Sequence, residues 1–187
     1  MIDHLVLLKI KPIYIYFNSQ DHDQTRKLVL RNLLKQLLSA LPKIPSTIQD
    51  AYRKSECGDG QPDCDGWMQF IKAVSTSFSC VAVLLDAFDE CTKGEKLNIV
   101  EIVRDLQKSG MKVFITTRPH DQSRLETKLV NAISMEIKAR EPDIKIFLEA
   151  NLRSEGVTEK VKDQIMGEIC LRAQGMYVPF SCTVVGG

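Results

Sequence analysis

Val81-Ala-Val-Leu-Leu85, followed by Asp86-Ala-Phe-Asp89-Glu90, is an apolar run that ends in three carboxylates. The run is as long as a strand and too short for a buried helix. Apolar on both faces, it belongs in a sheet covered by helices on each side. It ends in Asp86, and Asp89 and Glu90 follow within one turn. Three carboxylates thus fall at, or just past, the C-terminal end of a buried parallel strand, the edge where open α/β sheets bind their ligands. A carboxylate removed from water is costly unless paired, so such a cluster calls for a cation or a catalytic task. A single strand ending in Asp is more often a cap that opens the next turn. The Asp89-Glu90 pair weighs against that plainer reading.

Outward from this stretch, strands and helices alternate. Residues 95–109 carry a helical pattern closed by Gly110, and Lys112-Val-Phe-Ile-Thr116 is a second buried strand. It runs into Thr117-Arg118-Pro119, which puts a hydroxyl pair and a guanidinium on the same sheet edge. An Arg there is ordinarily a solvated cap or the partner of a carboxylate; beside an acidic site it also suits a phosphate. Upstream, Ile13-Tyr-Ile-Tyr-Phe17 reads as a strand, and Asp21 or Asp23 can cap the helix that follows. In that helix Leu28, Leu30, Leu33, Leu34, Leu37, Leu38 and Leu41 recur at helical spacing until Pro42, a core-facing stripe too short for a zipper. A weaker helix covers residues 46–54, and residues 55–66 form the clearest loop. Asp65 is placed to cap a helix with Trp67, Phe70, Ile71, Val74 and Phe78 on one face.

Downstream, a short helix over 123–130 leads to a strand over 133–137. Pro142 then opens a helix bearing Ile144, Phe147, Leu148 and Leu152 ahead of Gly156. Thr158 caps a last one, through Val161, Ile165 and Ile169, that ends at Gly175. Strands alternating with helices imply right-handed crossovers and a mainly parallel α/β sheet.

The composition excludes several classes of function. With 44% hydrophobic and 26% charged residues and a net charge of +1, the 187-residue chain is globular in type and has no dense basic face for nucleic acid or an anionic membrane. No apolar run approaches the roughly 20 residues of a membrane span, and Met1-Ile-Asp-His-Leu-Val-Leu-Leu-Lys9 has too short an apolar core for a secretory leader. The expectation is a cytoplasmic protein with reduced thiols. Cys57 and Cys64 are too far apart for a zinc knuckle, and His4, His22 and His120 show no paired spacing, so a metal or redox cysteine module is the weakest reading.

Four apolar residues, Asp86, a small residue, an apolar residue and Asp89-Glu90 resemble the NACHT form of the Walker B segment, and Thr116-Thr-Arg-Pro119 resembles the STAND sensor segment. Ile15-Tyr-Phe-Asn-Ser-Gln20, Leu33-Leu-Lys-Gln-Leu37 and Leu41-Pro-Lys-Ile-Pro45 are similar to the second strand and helix of the nephrocystin-3-like N-terminal NACHT group, abundant in fungal proteins. Ala139-Arg-Glu-Pro-Asp-Ile144 through Leu148, and Ala173-Gln-Gly-Met-Tyr177, resemble its helices after the sheet. The resemblance spans residues 13–178. It implies a three-layer P-loop NTPase fold: an atypical segment over 1–12, an NTPase core over 13–138, and a truncated helical subdomain over 139–187. It also implies Mg²⁺ and ATP or GTP as ligands of the parent family. Asp86 would hold the ion through water, Asp89 and Glu90 would polarise the attacking water, and Thr117 and Arg118 would sense the γ-phosphate. Self-association and flanking effector or repeat domains would be the partners.

The departure from the family lies in the phosphate loop. Gly-x-x-x-x-Gly-Lys-Ser/Thr presents backbone N–H groups and a Lys to the phosphates, and none of the ten glycines is followed by Lys-Ser or Lys-Thr. The resemblance places that loop ahead of the strand at Ile13. The chain is therefore expected to be a fragment of a nucleotide-controlled signalling switch that binds no nucleotide alone. The alternative is a non-enzymatic interaction or assembly remnant. Residues 5–10 could form a strand, though Pro12 follows too closely for the family's crossover. Loss of the loop's strand is expected to leave a gap in the sheet with exposed edges.

Overall fold

The computed structural model describes residues 2–21, 23–56, 60–129, 131–137, 141–152, 158–175 and 180–185. His22, Cys57, Gly156, and the resembling residues at 139–140 and 176–179, lie outside them. The elements run α1 (Ile2–Leu7), β1 (Lys11–Tyr16), α2 (Arg26–Leu38), α3 (Ser46–Glu56), α4 (Cys64–Ser75), β2 (Val81–Asp86), a 3-10 turn (Phe88–Glu90), α5 (Lys96–Lys108), β3 (Lys112–Thr117), α6 (Pro119–Lys128), β4 (Ala132–Ile137), α7 (Glu141–Leu152), α8 (Glu159–Gly175) and β5 (Phe180–Val185). The architecture is α/β, as expected.

The chain forms two compact units, one of residues 1–134 and 181–187, the other of 135–180. In the first, β1, β2 and β3 are parallel neighbours, with Ile15 beside Leu85 and Leu85 beside Ile115. The sheet order is β1-β2-β3-β5-β4. In the second unit α7 packs on α8.

Right-handed crossovers from β1 to β2 and from β2 to β3 advance in one direction, so they place their helices on one face of the sheet. On that face Ile13, Ile15 and Phe17, then Val81, Val83 and Leu85, then Val113 and Ile115 merge with the buried stripes of α2, α4 and α5. The leucine stripe is core, with Leu30, Leu33 and Leu37 fully buried. On the opposite face a smaller cluster joins Leu5 of α1 to Ala82 and Leu84, flanked by Ile10 and Phe114.

Several local expectations are corrected. Residues 5–10 are not a strand. α1 is helical, and Lys9, at φ 58°, closes it in the left-handed conformation while the Ile10 N–H donates to the Leu5 carbonyl at 3.0 Å, a Schellman-type end. Thr25, not Asp21 or Asp23, caps α2 by accepting from the Leu28 N–H. Asp63, not Asp65, caps α4 by accepting from the Gly66 N–H at 2.8 Å. α6 begins at Pro119, where a proline suits the first turn, rather than near residue 123.

The gap expected within the sheet is not seen among the described residues, while an exposed edge of the kind expected with it stands at β1. β5 pairs antiparallel with β3, Thr117 opposite Ser181 and Val113 opposite Val185. Its Thr183, Val184 and Val185 are β-branched, a strand signal in a tail whose regular structure was expected to be helical.

Candidate functional site

β2 ends at Asp86, and Ala87 takes the left-handed conformation at φ 54°. A β-branched or bulky side chain is poorly tolerated there, which accounts for a small residue after the aspartate. The chain then tightens into the 3-10 turn, anchored by fully buried Phe88. Its ring meets Phe17 edge to face, centroids 6.1 Å apart. The anchor holds the next two residues, Asp89 and Glu90, at the strand-end edge.

Asp86, Asp89, Glu90 and Arg118 share one edge, because the strands ending at Asp86 and Thr117 are neighbours. The Thr116 hydroxyl donates to Asp86 Oδ1 and accepts from the Ala87 N–H at 2.9 Å, so one side chain of β3 clasps the end of β2. Asp89 is half-buried, with its side chain 7% exposed, and binds Arg118 twice, Oδ2 to the guanidinium Nε at 3.1 Å and Oδ1 to the backbone N–H at 3.2 Å. The Arg118 side chain is 59% exposed, so the rest of its guanidinium reaches solvent. Glu90 Oε2 accepts from the Ser19 N–H at 3.1 Å, tying in the loop after β1.

Thr117 sits apart from this group. It is fully buried on the core face, and its hydroxyl has no hydrogen-bond partner among the described residues. Period-two alternation explains the difference. Residues 82, 84 and 86 of β2 share a face with 114 and 116 of β3, whereas 117 shares the core face with 113 and 115. Thr116 is therefore the hydroxyl at Asp86, and the alternation alone could have singled it out. Ser19 had no comparable signal, since the loop after β1 had no predictable course.

Beneath the edge, Lys96 of α5 and Asp121 of α6 form a buried ion pair at 2.6 Å, and the Lys96 ammonium lies 5.8 Å from the centre of the Phe88 ring. Cys91 lies close by. Burial pushes its thiol up to about 11 against the opposing pull of Lys96, with Glu95 and Asp121 adding to the rise. A thiol held protonated in this way is a packing group, not a nucleophile.

The three carboxylates turn to three different donors, Thr116, Arg118 and Ser19. Among the described residues no three His, Cys, Asp or Glu side chains converge on a common point for a metal ion. The protein alone thus offers no closed cation cage here. The second oxygen of Asp86 takes no protein donor among the described residues, which suits a cation held through water and completed by a ligand.

The fold and this edge define an α/β protein whose sheet has three parallel strands, β1 to β3, and an acidic, arginine-bearing strand-end site. The family model for the nephrocystin 3 N-terminal region matches residues 1–118, and the chain belongs to that family. No curated protein matches it, and no solved structure does. The match takes in α1, both strand ends and the first residues past them, through Arg118. Among the described residues no helix is long and apolar enough to cross a membrane.

Proposed function

We propose that these residues form the Walker B and sensor part of a NACHT-type, STAND-class P-loop nucleotide switch, whose ATP or GTP state controls assembly with itself and with flanking effector or repeat domains. One observation carries the reading: the Thr116 hydroxyl bridges Asp86 and the Ala87 backbone while Arg118 holds Asp89, so two neighbouring strand ends form one polar unit at the ligand-binding edge. Asp86 would hold Mg²⁺ through water, and the ion when bound would neutralise phosphate charge. Asp89 and Glu90 would orient and polarise the attacking water. Arg118, whose terminal nitrogens reach solvent, would meet the γ-phosphate, with Thr116 and Thr117 setting the end of its strand. Phosphoryl transfer depends mainly on positioning and charge neutralisation, and these are the groups that supply them.

A second reading has its own support. Every carboxylate of the edge already has a protein donor, and the 187 residues hold no Gly-x-x-x-x-Gly-Lys-Ser/Thr loop. On that reading the edge is a structural clasp in a non-enzymatic assembly piece. The two separate in a version carrying, in frame ahead of Met1, a strand, a phosphate loop and a helix. The switch reading expects Mg²⁺-dependent hydrolysis that Asp89→Asn with Glu90→Gln abolishes, while nucleotide affinity changes by less than about threefold. Hydrolysis in the double variant equal to the parent's would remove the catalytic role.

A further inference from the structure

β1 is the outer strand of the sheet, and its free side is guarded unevenly. Lys11 and Phe17 direct their N–H groups to β2, so residues 12, 14 and 16 direct theirs outward. Pro12 has no N–H to offer. At Tyr14 the Gln36 side-chain amide imitates a neighbouring strand: its Oε1 accepts from the Tyr14 N–H at 2.9 Å and its Nε2 donates to the Tyr14 carbonyl at 2.7 Å. Tyr16 has no such cover among the described residues.

Two adjoining hollows run along this edge, about 370 and 530 Å³, and share Tyr14, Gln36 and Ser39. Their apolar surface comes from Val6, 57% exposed, and from Tyr14 and Tyr16, both more than half exposed. Their charge comes from Lys9, Lys11 and Lys35. No carboxylate lines either hollow, and none of the three lysines has an ion-pair partner among the described residues. On a chain with a net charge of +1, this is a local cationic trough beside an open strand edge.

We propose that the β1 edge is a docking site for an extended acidic peptide segment, which adds to the sheet as a further strand. Strand addition draws affinity from main-chain hydrogen bonds and specificity from side chains at alternate positions. Here the main-chain groups are those of Tyr16 and, once Gln36 swings aside, Tyr14. The lysines select carboxylates by charge complementarity and steer their approach. Gln36 competes with the incoming strand for the Tyr14 rung and so limits affinity, which also keeps the edge from pairing indiscriminately. The site lies on the lateral side of the sheet and does not depend on the nucleotide reading of the strand-end edge.

The test is fluorescence anisotropy of a labelled peptide of alternating glutamate and valine, as long as β1, with the full 187-residue chain at low salt. The proposal expects saturable binding on the order of 10–100 μM. Lys11→Glu with Lys35→Glu should weaken it about tenfold or more. Gln36→Ala should tighten it about fivefold, since two main-chain groups become free. A backbone N-methylated version of the peptide, with the same charges and no ladder donors, should bind at least about tenfold more weakly. Circular dichroism of each variant confirms that the fold is retained, and a variant that loses it is replaced by Lys11→Gln, Lys35→Gln or Gln36→Leu. The proposal is overturned if the lysine–valine counterpart or an oligothymidine binds as well as the acidic peptide. It also fails if N-methylation makes no difference, if Gln36→Ala weakens binding, or if nothing saturates by about 1 mM.

Discussion

The two faces of the β1-β2-β3 sheet are built unequally. On one, Ile13, Ile15, Val83, Leu85, Val113 and Ile115 are buried under α2, α4 and α5. On the other, a small cluster of Leu5 from the short helix α1 with Ile10 and Phe114 packs on Ala82 and Leu84 among the described residues, and in the rows beside them Tyr14 and Tyr16 stay exposed. Parallel sheets are ordinarily covered on both sides. The inequality follows from topology, because successive right-handed crossovers in one direction deliver every crossover helix to the same side. Stability is therefore concentrated on the covered face. Among the described residues, Tyr14 and Tyr16 on the other face and the β1 edge beside them remain exposed.

Substitutions on the two faces should differ in cost accordingly. The largest loss is expected for Asp121→Ala under the covered face, which strands the buried Lys96 ammonium and should cost about 3–5 kcal/mol of unfolding free energy in urea titrations. Leu33→Ala, in the fully buried stripe of α2, should cost about 2–5 kcal/mol by the same assay. Leu84→Ala on the thin face should fall at the bottom of that range, about 2 kcal/mol, because α1 can settle into the space left behind. A Leu84 loss equal to or above the Leu33 loss would end the contrast.

A pH effect of similar size comes from Cys91. Its folded-state thiol is raised to about 11 by burial, so the folded protein holds a proton that the unfolded chain releases sooner. The contribution is complete below the unfolded value of 9.0 and is lost as pH rises toward 11, on the order of 2 kcal/mol across that window. Cys91→Ala should show a correspondingly shallower decline between pH 9 and 11 in parallel urea titrations. The smallest effect is expected for Tyr16→Ser on the open face, within about 0.5 kcal/mol of the parent.

Much of this arrangement is legible in the sequence, for identifiable reasons. Residues 81–85 declare a strand buried on both faces, and the leucines of α2 declare a core stripe, because burial imposes periods that composition cannot hide. The grouping of Asp86, Asp89, Glu90 and Arg118 follows once both strand ends are recognised as neighbours. Cap residues were less legible. Asp63 and Asp65, or Thr25 and Asp23, differ only by local geometry that either could satisfy. Leu5-Val-Leu-Leu8 carries no period long enough to separate strand from helix, and the helix α1 is closed by the left-handed Lys9, a conformation the sequence does not announce. Gln36 capping the Tyr14 rung joins residues 22 apart and had no sequence signal at all.

We propose that the strand-end edge is a nucleotide site completed by a phosphate loop, and calorimetric titration with ATP or GTP and Mg²⁺ puts that to the test. The 187-residue chain alone should bind more weakly than about 1 mM, because Arg118 cannot replace a ring of backbone donors and a lysine contributing roughly 1.5–3 kcal/mol each. With a phosphate loop supplied ahead of Met1, binding should become micromolar, on the order of 1–10 μM, should require Mg²⁺, and should be lost on Asp86→Ala. Binding by the chain alone below about 10 μM would contradict the account, as would loop-restored binding indifferent to Asp86→Ala.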